Sequence, residues 1–289
     1  MKNWILAARP KTLFAALAPV LIGTAMASTE VLLDWFYVAV VFIGAFAIQI
    51  GTNFANDYFD FKQGADTEER QGPTRAVQAG LISAKAMLIA MVLMFVLAAV
   101  MCAVLVQKAG MPLLIIGVAS IICGIWYTAG RYSLAYLGLA DMFVIVFFGP
   151  VAVGGTFYVL TEGINVFILI AGLAPGLIAT GLLAVNNLRD VDQDRVANKK
   201  TLAVRFGRRF ARFEYVACIL VACMIPILFA GLAWEPYPLM ACLILIIAIP
   251  AFRTVAKGTS GVVLNPVLGK TALMLLLYSI LFSVGYILA

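Results

Sequence analysis

Long apolar stretches follow one another along almost the whole chain, and they limit its fold more than any other feature. About 20 residues of helix cross the hydrocarbon core of a bilayer, and stretches of roughly this length recur nine times in the 289 residues. They cover residues 11–28, 32–56, 85–107, 111–130, 138–160, 165–187, 213–233, 237–254 and 264–288. We therefore predict an all-α, polytopic membrane protein with nine transmembrane helices.

The composition excludes several classes of function. Charged residues make up 12% of the chain and hydrophobic residues 64%, whereas a soluble domain has about a quarter charged residues. The chain contains no histidine, so Ser-His-Asp triads and histidine metal sites are excluded. The five cysteines lie in apolar stretches without C-x-x-C spacing, which is typical of core thiols. Carboxylates, lysines, arginines and tyrosines remain for chemistry.

Two clusters of acidic and amide residues interrupt the apolar pattern, at residues 53–66 and 186–195. An aspartate at the bilayer centre costs about 3 kcal/mol, so something must stabilise these side chains. Residues three or four apart share a helix face, which brings Asp57 next to Asp60. The same spacing brings Asp190 next to Asp194. At about 4 Å and a dielectric near 20, each such pair repels by about 4 kcal/mol, unless protons, bases or a divalent cation neutralise it.

The distribution of basic residues predicts the orientation in the membrane. Of the 20 lysines and arginines, only Lys108 falls on the opposite side from the rest. The positive-inside rule then places the N-terminus and both acidic clusters in the cytoplasm. Because the charges are spread over several membrane-adjacent loops, they do not form a nucleic-acid surface, and membrane lipid is the expected surrounding.

Both clusters mix acids with bases, which indicates a magnesium and diphosphate site. Mg²⁺ prefers oxygen ligands and is often shared between carboxylates and a phosphorylated substrate. Lysine and arginine side chains nearby can bind diphosphate oxygens. They are Lys62, Arg70, Arg75, Arg189, Arg195, Lys199 and Lys200. Two other interpretations stay open: simple ion pairing in loops, and a cation-coupled transporter with polar residues along a pathway.

Several segments resemble the UbiA-type intramembrane prenyltransferases, and more narrowly their 1,4-dihydroxy-2-naphthoate polyprenyltransferase branch of menaquinone synthesis. The segments are 8–12 (ARPKT), 56–66 (NDYFDFKQGAD), 72–76 (GPTRA), 127–128 (YT), 136–141 (YLGLAD), 187–195 (NLRDVDQDR) and 199–207 (KKTLAVRFG). The broad superfamily spacing N-D-x-x-D-x-x-x-D would end at Gly64, whereas the last acid here is Asp66. The longer spacing of this chain resembles that of the naphthoate branch. The resemblance implies a single domain, residues 1–289, with helices around a central cavity and acidic motif loops at 53–84 and 186–212.

The resemblance also implies a reaction: transfer of a polyprenyl group from polyprenyl diphosphate to 1,4-dihydroxy-2-naphthoate, with loss of CO₂ and diphosphate. Its Mg²⁺ ligands would be Asp57, Asp60, Asp66, Asp190 and Asp194. Its catalytic residues would be Asp60, Asp190, Lys62, Arg75 and Tyr127. Its substrate-binding residues would be Asn53, Asn56, Lys62, Arg75, Tyr136, Arg195 and Lys199. Other acceptors, such as 4-hydroxybenzoate, haem or a chlorophyll precursor, remain alternatives. The oligomeric state and the tail length are not predicted.

Some polar and small residues have an ordinary structural interpretation. Asn53 and Asn56 are equally suited to contacts between helices, and Tyr127 to an interfacial belt. Asp141 stands alone at the start of the fifth apolar stretch, where we expect it to cap a helix. Four glycines are expected at positions where helices pack closely, or along a route for the prenyl tail. They are Gly117, Gly124, Gly172 and Gly176.

Overall fold

The computed structural model describes residues 1–64, 72, 74–130, 132–233, 235–257 and 261–289, and it contains helices but no strand within these ranges. The helices are α1 (Lys2–Ala8), α2 (Pro10–Ser28), α3 (Trp35–Lys62), α4 (Ala84–Ala109), α5 (Met111–Trp126), α6 (Leu134–Leu137), α7 (Ala140–Val146), α8 (Ala152–Thr161), α9 (Val166–Val196), α10 (Leu202–Ala233), α11 (Leu245–Ala256) and α12 (Asn265–Leu288). A π-helical turn, Phe147–Val151, joins α7 to α8, and a 3₁₀ segment, Tyr237–Ile244, leads into α11.

The predicted all-α membrane fold is confirmed. Eight helical segments among the described residues are long and apolar enough to cross a membrane. The segment at the fourth predicted position, α5, has only 16 residues and spans about 24 Å at 1.5 Å per residue. The count of nine transmembrane helices therefore stays a prediction. The cytoplasmic position of the N-terminus is also still a prediction.

Side-chain caps begin several of the helices. Ser83 accepts a hydrogen bond from the backbone of Ala86 at the start of α4, and Asn165 accepts one from Ile168 at the start of α9. The expected cap at Asp141 is wrong: the N-cap of α7 is Leu139, and no side chain caps this helix. The chain already enters helical geometry one residue earlier, so the carboxylate of Asp141 lies inside the first turn.

The two motif helices run further than hydropathy predicts. α3 continues to Lys62 and α9 to Val196, so the acidic intervals 53–84 and 186–212 are loops only in their middle parts. The reason is that a helix needs backbone hydrogen bonds but no apolar side chains. Hydropathy therefore marks where a helix leaves lipid rather than where it ends.

Buried side chains join α2 and α7–α12 into one large core. The helices α3–α5 form a second group of two smaller clusters, one of which includes Ala7 of α1 and the other Val20 of α2 and Val159 of α8. In the large core, a Cβ at Gly172 would lie 2.8 Å from the backbone of Pro150, and one at Gly176 would lie 2.4 Å from the carbonyl of Ile145. These two glycines therefore allow α9 to pack closely against the π-helical turn. The same contact fixes α9 in the membrane and with it the second acidic cluster.

An apolar cavity of about 210 Å³ lies between the two groups. Side chains from α2, α3, α4, α5, α7 and α8 line it, and Gly117 and Gly124 are among them. At one end it reaches Thr52 and Tyr127, close to the polar end of α3. At the other end it meets a cluster of buried apolar residues that includes Val41, Leu105 and Leu113.

Candidate active site

The two aspartates of the first cluster hold one short segment of the following loop. Asp57 accepts hydrogen bonds from the backbone N–H groups of Ala76 (3.0 Å) and Val77 (3.3 Å). Asp60 is paired with the guanidinium of Arg75 at 2.8 Å. Asp57, Asp60 and Arg75 are all buried. The two acids therefore lie on one face of α3, as predicted, and both bind the same segment, 75–77.

The second cluster is held by an arginine of its own helix. The guanidinium of Arg189 donates two hydrogen bonds to Asp190, at 2.7 and 2.6 Å. It also donates to the side-chain oxygens of Asn186 (2.8 Å) and Asn265 (3.0 Å). The side chain of Arg189 is only 1% exposed. Arg189 thus fixes Asp190 and is engaged too fully to serve as a free diphosphate ligand.

Lys199 connects the two clusters across the site. Its ammonium lies 3.5 Å from the carboxylate of Asp60 and 5.5 Å from the centre of the Tyr136 ring. Its backbone N–H donates to the carbonyl of Asp194 at 2.8 Å, and the side chain of Asp194 is itself buried. Lys199 therefore links the segment after the second motif to Asp60 of the first, 139 positions earlier in the chain.

The amides of the first cluster hold neighbouring helices. Asn53 donates to the carbonyl of Ala8 and to the hydroxyl of Thr12, each at 2.9 Å. Asn56 accepts a hydrogen bond from the hydroxyl of Thr128 at 2.8 Å. These contacts match the helix-packing interpretation, and they fix α3 against both the start of α2 and the loop after α5.

The loop between α5 and α7 contacts both motifs. Beside the bond from Thr128 to Asn56, the side chain of Gln63 donates to the carbonyl of Thr128 at 3.0 Å. Further along, Arg205 donates to the carbonyl of Leu137 at 2.6 Å. Gly138, at φ +70°, leaves room for the carbonyl of Lys200, which would lie 2.2 Å from a Cβ there. This loop therefore ties the end of α3 to the start of α10.

Two predicted cationic site residues do not contact the described motif carboxylates. Lys62 and Arg195 are exposed, and in the part of the chain that the structure describes neither pairs with an aspartate of the motifs. The ammonium of Lys62 lies instead over the ring of Tyr58, 5.5 Å from its centre. Asp66 lies outside the described residues, so its role stays a prediction.

Tyr127 lies where the charged end meets the apolar cavity. It lines the cavity and follows α5 directly. Burial raises the pKa of its hydroxyl above the usual value. The carboxylates of Asp141, Asp60 and Asp194 raise it further, while the positive charge of Arg9 acts in the opposite direction. Tyr127 is therefore a neutral aromatic side chain within reach of both acidic motifs.

The donor chemistry fits a divalent cation that binds together with a substrate. Asp60, Asp190 and Asp194 are buried and supply the hard oxygen ligands that Mg²⁺ prefers. Among the described residues no three acidic or thiol side chains converge into a complete metal site. Since Mg²⁺ commonly takes only one or two carboxylates and completes its shell with phosphate and water, two separate half-sites are compatible with it.

Sequence reasoning missed residues that support the site from a distance. Asn265 lies 76 positions from its partner Arg189, and Thr128 lies 72 positions from Asn56. No spacing rule links such pairs. Arg9 could have been found from the sequence, since it belongs to the segment 8–12 that resembles the family. In the structure its positive charge acts on Tyr127.

Comparisons with known proteins agree with this architecture. A 1,4-dihydroxy-2-naphthoate octaprenyltransferase of Haemophilus influenzae is 35% identical over 296 residues, 99% of this chain and 96% of that protein. An Escherichia coli protein of the same name is 35% identical over 297 residues, 99% of this chain and 95% of that protein.

Solved structures show the same fold at lower identity. A UbiA homolog from Archaeoglobus fulgidus, bound to DMAPP and Mg²⁺, superimposes with a TM-score of 0.62 at 17% identity, covering 98% of this chain and 99% of that one. The UbiA prenyltransferase family model matches residues 16–263. With near full-length relatives at 35% identity, the chain belongs to the UbiA prenyltransferase family.

Proposed function

We propose that this protein transfers a polyprenyl group from polyprenyl diphosphate to 1,4-dihydroxy-2-naphthoate, giving demethylmenaquinol, CO₂ and diphosphate. The single observation that carries the proposal is the meeting of the two acidic motifs at Lys199, near the end of the apolar cavity that Thr52 and Tyr127 line. This arrangement offers a charged site for a diphosphate beside an apolar site for its tail. The names of the 35% identical relatives support the same donor and acceptor classes.

The diphosphate would bind between the clusters together with Mg²⁺. Asp60 from the first motif, and Asp190 and Asp194 from the second, would hold the metal, with Asp57 and Asp66 as further candidates. When bound, Mg²⁺ neutralises the diphosphate and makes it a better leaving group. Arg75 and Lys199 already lie at Asp60, where their positive charges would stabilise the negative charge that grows on the departing group.

The apolar cavity would hold the first part of the prenyl tail. Its position next to Tyr127 places the first carbon of the tail at the boundary between the charged and apolar regions. Cleavage of the carbon–oxygen bond there leaves an allylic carbocation. The neutral ring of Tyr127 would stabilise this cation through its face, and the ring of Tyr136, already beside the ammonium of Lys199, would act in the same way.

Bond formation then takes place at the ring carbon that carries the carboxylate. The electron pair of the ring forms the new carbon–carbon bond, and the pair that joined the carboxylate returns to the ring as CO₂ leaves. No ring proton has to be removed, which agrees with a chain that contains no histidine. Lys62 and Arg195 stand at the exposed rim, where they would attract the anionic substrates.

The proposal includes the location. The site would face the cytoplasm from the inner membrane, because 19 of the 20 basic residues fall on the side of the motifs. Residues 1–289 would form one domain, since the cavity and site draw on helices from both groups.

The reaction can be tested with purified protein in detergent or proteoliposomes. Polyprenyl diphosphate, 1,4-dihydroxy-2-naphthoate and Mg²⁺ should give prenylated, decarboxylated product, and EDTA should abolish it. A parallel assay with 4-hydroxybenzoate controls for the acceptor. Preference for 4-hydroxybenzoate would overturn the acceptor, and full activity in EDTA would overturn the metal.

A further inference from the structure

One buried carboxylate stands apart from the two acidic motifs. Asp141 is only 4% exposed, and in the part of the chain that the structure describes neither of its carboxylate oxygens accepts a hydrogen bond from another residue. A buried carboxylate without a partner costs several kcal/mol. A ligand that brings a hydrogen-bond donor would therefore be stabilised at this position.

Asp141 lies close to the wall of the cavity without lining it. Val144 follows it by three residues on the same face of α7, and Phe148 of the π-helical turn follows by seven, and both line the cavity. The backbone carbonyl of Asp141 accepts a hydrogen bond from Thr180 of α9 at 3.5 Å. Its carboxylate charge acts on Tyr127, which lines the same cavity. Asp141 is thus one helical turn from Val144 in the cavity wall, and its charge reaches Tyr127 in the same wall.

Three ionisable side chains among the described residues are close enough for the charge of Asp141 to act on them. Besides Tyr127, these neighbours are Glu214 and Cys218 of α10. Glu214 carries a carboxyl group, so it offers Asp141 no positive charge. A neutral donor such as a hydroxyl group would satisfy the carboxylate oxygens of Asp141 that accept no hydrogen bond.

We infer that Asp141 accepts a hydrogen bond from a hydroxyl of the aromatic acceptor and thereby selects a dihydroxylated ring. The inference rests on the proposed function and adds a specificity residue to it. In 1,4-dihydroxy-2-naphthoate the 1-hydroxyl lies next to the carboxylate and bonds to it within the molecule. The 4-hydroxyl is therefore the free donor, and it is the group assigned to Asp141. Sites built to bond a substrate hydroxyl reject analogues that lack it.

The test compares two ligands that differ in this hydroxyl. We would measure the KM for 1,4-dihydroxy-2-naphthoate and the competitive inhibition constant of 1-hydroxy-2-naphthoate, in the wild-type protein and in Asp141→Leu. Leucine has a similar size and no acceptor oxygen. The hydrogen bond to a charged group predicts about a 10- to 100-fold rise in KM for the diol. The inhibition constant of the analogue and the KM for polyprenyl diphosphate should stay within about twofold.

Two further variants separate recognition from structure. Asp141→Asn keeps one acceptor oxygen without charge, so its KM for the diol should fall between those of the wild type and Asp141→Leu. Glu214→Gln removes the neighbouring carboxylate and should affect both ligands alike.

An equal loss of affinity for both ligands in Asp141→Leu, or no loss for either, would overturn the inference. The proposed function would still stand as long as the wild-type protein converts the diol to product. If the wild-type protein forms no product from the diol, both are overturned.

Discussion

The two acidic motifs look alike in sequence but are held in opposite ways. In the second motif, Arg189 fixes Asp190 from the adjacent position of the same helix. In the first motif, Asp60 depends on Arg75, which lies 15 positions away beyond the end of α3. The second half-site is therefore built into a helix, while the first is completed by a loop. Substitutions in the second motif should thus mainly lower the free energy of unfolding, and substitutions in the first should mainly lower turnover.

The largest effect should come from Asp60→Asn. Asparagine keeps the shape but lacks the charge that holds Arg75, Lys199 and the proposed metal. Loss of a group that stabilises developing charge typically lowers kcat by about 100- to 1,000-fold, and we expect at least this loss. The measurement is turnover with saturating diphosphate and acceptor, together with a check that the protein still inserts in the membrane. Near-normal turnover would remove Asp60 from the metal site.

The second largest effect should be on folding, in Arg189→Met. This change leaves Asp190 buried without its two charged hydrogen bonds, which costs about 3 kcal/mol or more. The free energy of unfolding in a detergent–SDS titration measures it. The matched variant is Arg75→Met, which should cost less because Lys199 still faces Asp60 at 3.5 Å. Equal losses in the two variants would break the contrast between the motifs.

These contrasts show what the sequence could and could not predict. Apolar stretches predicted the eight described helical segments that are long enough to cross a membrane, and the acid-rich segments marked both motifs, because each signal lies in neighbouring residues. Asn265 could not be found, since only the packing of α12 against α9 brings it to Arg189. The prediction that Asp141 caps a helix was wrong for a related reason. The position of a cap depends on where the backbone becomes helical, and here Leu139 is the N-cap of α7.

A smaller effect is expected from Asp57→Asn. The amide can accept a hydrogen bond from only one of the N–H groups of Ala76 and Val77, so the segment that carries Arg75 loses a bond worth about 1–2 kcal/mol. We expect turnover to fall about tenfold, with the KM for polyprenyl diphosphate raised. Asp192→Asn is the control, because this exposed acid pairs with Arg208 at the surface and such pairs contribute little. A loss of turnover as large as that of Asp60→Asn would instead favour Asp57 as a direct metal ligand.

The smallest effect should come from Asn265→Ala, which tests how rigid the second motif is. Arg189 keeps three of its four hydrogen bonds in this variant, two to Asp190 and one to Asn186. We therefore expect a loss of about 1 kcal/mol in unfolding free energy and less than a threefold change in turnover. If Arg189 holds Asp190 by itself, the dependence of turnover on Mg²⁺ concentration should not change. A shift of that dependence by tenfold would mean that the second motif also relies on a distant segment, and the difference between the two motifs would then be one of degree.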